Sequence, residues 1–309
     1  MLSFLKFKSK SVTGAAGVEV QADGISLAVS TLGENGAPKI SQSLYRPCKA
    51  ADRKAALNEM VSELGADGLS CHVVLPPGQF KTYPIEKPKV EDAELADAVR
   101  WKVKDLLDFD LADAVTDVYE SPADSLRGRP AQVNVVVSKS KVIQELVDLI
   151  NQSGLELASI DIVDFAIRNV EHLISENNDR PIAVLYLRSG AGMMVLAKGS
   201  DVYLSRYFDF SSQALNEPSQ QSTVIQQLAL EVQRSFDYFE SQMGQVPPQT
   251  IYLLGPNPNL PLTNMLGGSI AATAELLDLS PLFIESKVCG LNEINTFAAM
   301  GGALRGFES

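Results

Sequence analysis

One structural pattern occurs twice in this chain, and that repetition limits the available folds more than any other feature. Gly17-Val18-Glu19-Val20 runs into a small-residue turn, Ala22-Asp23-Gly24. A second apolar run covers 25–29, a Gly-rich turn follows, and a third run ends at Tyr45. From Pro181 the pattern returns. Residues 182–187 lead into Ser189-Gly190-Ala191-Gly192, then 193–197, then Lys198-Gly199-Ser200-Asp201, then 202–208. Short apolar runs bounded by Gly, Ser and Asp read as strands closed by turns. A helical pattern follows each set. The duplicated β-β-β-α lead-in predicts two related lobes facing a cleft.

The 309 residues suffice for two domains, each with its own core. The formal net charge is -12. That disfavours a general nucleic-acid binder, because neutralising phosphates needs a basic face. Cys48, Cys71 and Cys289 are odd in number and far apart, so they read as reduced thiols rather than a disulfide frame or zinc site. No run of 18 apolar residues is present, and the N-terminus lacks the apolar core and cleavage site of a secretory signal. It mixes Leu2, Phe4, Leu5 and Phe7 with Lys6, Lys8 and Lys10. Two readings stand: a frayed terminus, or a weak contact with an anionic membrane surface.

Periodicity organises the rest. A helix is predicted over 51–64, with Ala56, Leu57, Met60 and Leu64 on one face and Gly65 ending it. Residues 71–75 form a short apolar strand stopped by Pro76-Pro77-Gly78. An inserted α+β subdomain is expected at about 81–130: an extended Pro-rich stretch, a helix over 91–107, a strand at 115–119 and a hairpin tip at 121–130, with a further strand at 133–137 after it. A helix over 141–151, a strand at 157–162 and a helix to about 174 close the first lobe, 1–180. The polar stretch 176–181 is the expected boundary. In the second lobe, 181–309, a polar loop at 213–221 precedes the longest helix, 223–243, which Thr223 and Gln226 are expected to cap. A buried strand at 251–254 runs into Gly255-Pro256-Asn257. A small-residue helix at 295–305 is expected to lie back on the first lobe.

The run Ala98-Val99-Arg100-Trp101-Lys102 with Leu107-Asp108-Phe109-Asp110-Leu111, the segment Glu231-Val232-Gln233-Arg234-Ser235-Phe236, and the ending Phe297 to Arg305 together resemble the PilM family. The order of elements matches over essentially the whole chain. Within that family the likeness is to the branch that serves mannose-sensitive haemagglutinin (MSHA) pili. The resemblance implies an actin-like fold, duplicated ribonuclease-H-like lobes facing a cleft, in agreement with the internal repeat. It also implies a place in the bacterial cytoplasm, peripheral to the inner membrane, at a pilus assembly platform and its ATPase. There such proteins bind ATP and grip the N-terminal cytoplasmic tail of a bitopic PilN-like partner.

The family's first phosphate turn reads Asp-x-Gly-(Ser/Thr)-(Ser/Thr) with a Lys soon after. The matching positions here are Glu19, Gln21, Ala22 and Asp23, with Ser26 in place of the Lys. Glycine matters there because backbone N–H groups must approach phosphate oxygens closely. In the second turn the acid has become Tyr186 and the glycine Arg188. The adenine-side turn holds Gly255, but Pro256 deletes a donor. Glu231, Arg234, Gly255 and Gly301-Gly302 keep the family style. The resemblance therefore assigns Glu19, Asp23, Arg188, Glu231, Gly255 and Gly301 to a degenerate nucleotide cleft. No metal site is expected, and ATP with Mg2+ is weakly held or absent.

Other chemistry is sparse. His72 and His172 have neither metal-ligand spacing nor a nucleophile beside them. Asp161 and Asp164 resemble paired carboxylates, yet one ends a strand and the other opens a helix, where an acid is favoured. Trp101 is more informative. Leu95, Val99, Val103 and Leu106 form one stripe of the 91–107 helix, and at about 100° per residue Trp101 points nearly the opposite way. It packs on a second layer of the insert or meets a partner. The leading reading is a non-catalytic scaffold, whose net acidity suits a partner tail carrying Lys or Arg. The rival is a nucleotide-driven switch or a phosphotransferase of the actin–sugar kinase superfamily. A type II secretion scaffold ranks third, because such versions usually continue into a transmembrane helix whereas this sequence stops at Ser309.

Overall fold

The computed structural model describes residues 14–34, 36–174, 180–188, 191–209, 212–255, 262–284 and 291–305. The basic N-terminal segment, most of the 176–181 boundary, Ser189-Gly190, Pro256-Asn257, Cys289 and the last four residues lie outside them.

The first repeat forms β1 (Gly14–Val20), β2 (Gly24–Leu32) and β3 (Pro38–Pro47), followed by α1 (Arg53–Leu64) and β4 (Ser70–Leu75). Gly65 ends α1 in the left-handed conformation, φ 60°, and donates back to the Ser62 carbonyl. The insert contributes β5 (Phe80–Glu86), α2 (Asp92–Lys102), β6 (Ala114–Glu120) and β7 (Gln132–Lys139). Then come α3 (Ser140–Asn151), β8 (Glu156–Ile162) and α4 (Val163–Ile174). The second repeat is β9 (Ile182–Arg188), β10 (Ala191–Lys198) and β11 (Asp201–Phe208), with α5 (Ser212–Asn216), α6 (Pro218–Ser241), β12 (Thr250–Leu254), α7 (Leu262–Gly267), β13 (Thr273–Leu276) and α8 (Leu291–Arg305).

The two large sheets have equivalent orders, β3-β2-β1-β4-β8 and β11-β10-β9-β12-β13. In each, three strands meander antiparallel and the last two run parallel to the first. Such a meander needs only tight turns, and these are what the repeated sequence supplies. Alternation on β9 serves two cores. Ala183, Leu185 and Leu187 face the α6 side with Leu228, Val232 and Phe236, whereas Val184 and Tyr186 join the central core. The insert is a third sheet, β5-β7-β6, with its own small core of Val99, Val103, Val133 and Val135.

Helix α8 is buried nearly all round, as expected of a helix inside a core. It lies against β1, β2, β3, β4 and α4. Small residues allow this. A Cβ on Gly17 would collide with the Ala299 carbonyl, and one on Gly301 with the Ala166 carbonyl.

Three local expectations are corrected. The insert's sheet runs to Lys139 rather than 130, because β7 is its central strand. Helix α2 stops at Lys102, and the chain tightens into a 3-10 turn over Lys104–Leu106 before becoming extended. Continuing to 107 would put Asp105 in the last turn, against the helix dipole. Leu106 consequently leaves the apolar stripe and is 52% exposed. Helix α6 begins at Pro218, not 223, with Glu217 as its N-cap residue and no side-chain cap. Proline at the first position has the right φ and lacks an N–H that would go unpaired anyway.

Candidate functional site

Polar groups of the chain itself meet across the cleft between the lobes. Glu19 sits near the end of β1 and is fully buried. The Arg188 guanidinium, at the end of β9 in the other lobe, donates from Nη1 to Glu19 Oε1 at 2.7 Å. Gln21 Nε2 donates to Glu19 Oε2 at 2.7 Å, to Ser26 Oγ at 2.7 Å and to the Asn295 carbonyl at 2.8 Å. Ser26 Oγ donates to that same carbonyl at 2.7 Å, so strand β2 and helix α8 are tied at one point. Arg53 Nη2 donates to the Gln21 carbonyl at 2.6 Å. In the second lobe the Tyr186 hydroxyl donates to the Ile294 carbonyl at 2.9 Å, and its ring stands edge-on to Phe297 with centroids 5.0 Å apart.

Burial raises the Glu19 carboxyl above its ordinary range, against the opposing pull of Arg188 and Gln21. Burial also raises the Tyr186 phenol. Tyr45 is pushed up to about 12 by burial and by Asp23, whose side chain is itself exposed at the β1–β2 turn.

These residues do not fit a magnesium triphosphate. Gln21 places a side chain where the phosphate turn needs bare backbone. Glu19 already has a cation, so a magnesium ion would compete with a buried guanidinium for it. Position 186, which an acid would occupy, bears a phenol that donates to a carbonyl. Among the described residues, no set of three or more His, Cys, Asp or Glu side chains is placed to hold a metal ion.

The remaining assigned residues have local partners of their own. Glu231 pairs with Arg234 at 2.7 Å on an exposed part of α6. Gly255 is buried after β12, where a Cβ would press on Leu262. Gly301 serves helix packing, and its carbonyl accepts from Asn169 Nδ2 at 2.9 Å. Asp161 pairs with Arg305, while Asp164 accepts from the Tyr207 hydroxyl at 2.6 Å, so they are not a carboxylate pair. His72 Nδ1 contacts Ser159 Oγ at 2.8 Å.

Trp101 is 68% exposed, with the Lys104 ammonium 5.8 Å from its ring. Val99 of α2 and Val103 just past its end are fully buried. The indole lines a shallow groove of about 420 Å3 with Asp97, Arg100 and Leu111. A larger groove, about 550 Å3, runs between the insert and the second lobe. The hairpin tip bounds it: Arg127 and Arg129 donate to the Ser241 and Gln242 carbonyls at the end of α6, and Tyr203 donates to Asp124 at 2.7 Å. No sequence pattern marked this groove, because its walls are about 120 residues apart.

No protein-family model and no curated protein matches this chain. Solved structures do. The chain is similar to a chain of the structure described as a PilM-PilN type IV pilus biogenesis complex, with a TM-score of 0.74 and 23% identity, over 96% of this chain and 99% of that one. It is also similar to the cytoplasmic domain of EpsL, an inner membrane component of the type II secretion system of Vibrio cholerae, with a TM-score of 0.54 and 16% identity, over 93% and 94%. A Bacteroides thetaiotaomicron protein described as having an actin-like ATPase fold gives a TM-score of 0.52 and 10% identity, over 92% and 95%. The fold is actin-like. Among the described residues no helix is long and apolar enough to cross a membrane.

Proposed function

We propose that this protein is a cytoplasmic scaffold of a type IV pilus assembly platform, of the MshI kind that serves MSHA pili. It holds the N-terminal tail of a PilN-like inner-membrane protein, works against the inner membrane without crossing it, and performs no chemistry. The likeness to a chain of the PilM-PilN complex supports the platform and the partner. EpsL supports the same kind of work, at the cytoplasmic side of an inner-membrane machine. The ion pair between Arg188 and Glu19 carries the non-catalytic part of the reading. It sets the protein's own cation where a nucleotide's metal would have to be held, and it ties together two lobes that a nucleotide would otherwise bridge.

An extended tail loses entropy on binding, so affinity for a single tail is modest and many copies in the platform strengthen it. The test is capture of the PilN-like protein's N-terminal tail, repeated with Trp101→Ala. The wild-type chain is expected to retain the tail. Failure to retain it would remove the scaffold reading. Trp101 is proposed as a second contact with the same partner, so its loss should weaken capture. Unchanged capture would reject that contact alone.

A further inference from the structure

One face of the insert's sheet floors the groove between the insert and the second lobe. Alternation along β7 separates the sheet's two faces. Val133, Val135 and Val137 point into the insert's own core. Gln132 and Asn134 point the other way and line the groove, and Val136 beyond them joins the central core. Pro84 of β5 and Tyr119 of β6 both lie opposite Asn134, and Thr82 lies opposite Val136. The floor is therefore polar, with the Tyr119 ring set into it. A solvated face is ordinary for an antiparallel sheet. Here β11 and the end of α6 line the other side and leave about 550 Å3 between. That is the size of a small-molecule site, at the kind of junction between structural units where such sites collect.

The far wall holds a cation without a partner in the protein. Arg206 of β11 is half-buried and lies over the Tyr238 ring, 5.5 Å from its centre. Its Nε is buried and makes no hydrogen bond. Among the described residues no carboxylate or carbonyl reaches its two terminal nitrogens, which stay accessible from the groove. An unmade bond on a half-buried charge is costly, so such a group favours an incoming acceptor. The groove's other charges are engaged. Arg129 donates to the Ser125 and Gln242 carbonyls, Lys81 pairs with Asp108, and Asp164 accepts from the Tyr207 hydroxyl. Asn134 Nδ2 donates to Ser121 Oγ at 2.9 Å, which fixes that amide and leaves its oxygen open to a ligand.

We propose that this groove binds a small polyhydroxylated anion, in class a sugar or polyol phosphate. The phosphate meets Arg206, whose planar fork suits phosphate oxygens. The hydroxyls meet the Gln132 and Asn134 amides, which between them donate and accept. The C–H face of the ligand lies on Tyr119, since the face of an aromatic ring carries negative charge density. One open guanidinium matches one phosphate group, which separates this ligand from a triphosphate with its metal. A ligand seated there touches the insert and the second lobe at once, so its occupancy holds one against the other. The site is separate from tail capture, and its failure would leave the scaffold reading standing.

Titration calorimetry on the full chain tests this with glucose 6-phosphate, ribose 5-phosphate and glycerol 3-phosphate. Glucose and inorganic phosphate serve as the two halves alone. At least one of the three phosphate esters is expected to bind at millimolar concentration or below, about tenfold or more tighter than either half. Arg206→Met keeps contact with Tyr238 and removes the charge. It should weaken binding about tenfold and leave the melting temperature nearly unchanged, because the guanidinium has no hydrogen bond to lose. Gln132→Leu should weaken binding several-fold. Should either variant fold poorly, hydrogen exchange on the wild-type chain decides: amides of 132–134 and 203–207 are expected to slow when the ester is present. Absence of binding by all three esters overturns the proposal. Phosphate binding as tightly as the esters would mean an adventitious ion only and also overturns it. So would ester binding that both variants leave unchanged, or that leaves exchange in these two segments unaffected.

Discussion

Replacing Arg188 by alanine would leave a fully buried Glu19 carboxylate with only the Gln21 amide beside it. Breaking a buried ion pair from one side typically costs about 3 kcal/mol or more, mostly because the surviving charge is stranded. Urea unfolding of Arg188→Ala is expected to show such a loss, and Glu19→Gln in the same chain should restore most of it. A loss below about 1 kcal/mol would mean the pair does not hold the lobes. His72 supplies a pH signature. Burial, with the Arg305 charge nearby, lowers it to about 4, so it is neutral in the folded chain. Between the unfolded value near 6.5 and about 4, the unfolded chain binds the extra proton. Stability from this group is present above that window and is lost as pH falls through it, by about 3 kcal/mol in total. The carboxyls of Glu19, Asp164 and Glu171, all raised by burial, slope the opposite way. The difference between the wild-type and His72→Gln profiles therefore isolates the histidine, and parallel profiles would contradict its assignment. At this scale the sequence marked Glu19, Gln21 and Arg188 as departures from a nucleotide turn. It did not show that they bond to one another, because Glu19 and Arg188 are 169 positions apart.

Among the elements, α8 holds the first lobe together and touches the cleft. Its glycine Gly301 lies against the backbone of α4. Gly301→Ala should destabilise by about 2 kcal/mol or more, since the added carbon meets the Ala166 carbonyl and neither backbone has room to move. Gly267→Ala, with open space around the added carbon, is the control and should be near neutral. Thermal melts of both check this, and equal melts would refute the packing role of Gly301. Most elements were legible because their patterns are long or repeated. The strands of both meanders, α1 and α4 follow directly from apolar runs and their stops. Strand β13 was not legible: Thr273–Leu276 is four residues, mostly exposed, and contains a glutamate. The early start of α6 was missed because polar residues at 218–223 conceal a helix whose first turns face solvent.

For the whole molecule, the internal duplication fixed the architecture that the sheet orders display, two equivalent five-stranded sheets with one insert. The groove between the insert and the second lobe has no local signal at all, since it exists only once the two meet. The scaffold account rests on a cleft lined and bridged by the protein's own side chains. Melting the full chain with and without millimolar Mg-ATP tests it most directly. A ligand at ~100 times its Kd adds ~2.7 kcal/mol, several degrees for a chain of this size. The account predicts a shift of less than about one degree. A rise of several degrees that disappears in Glu19→Gln would contradict it.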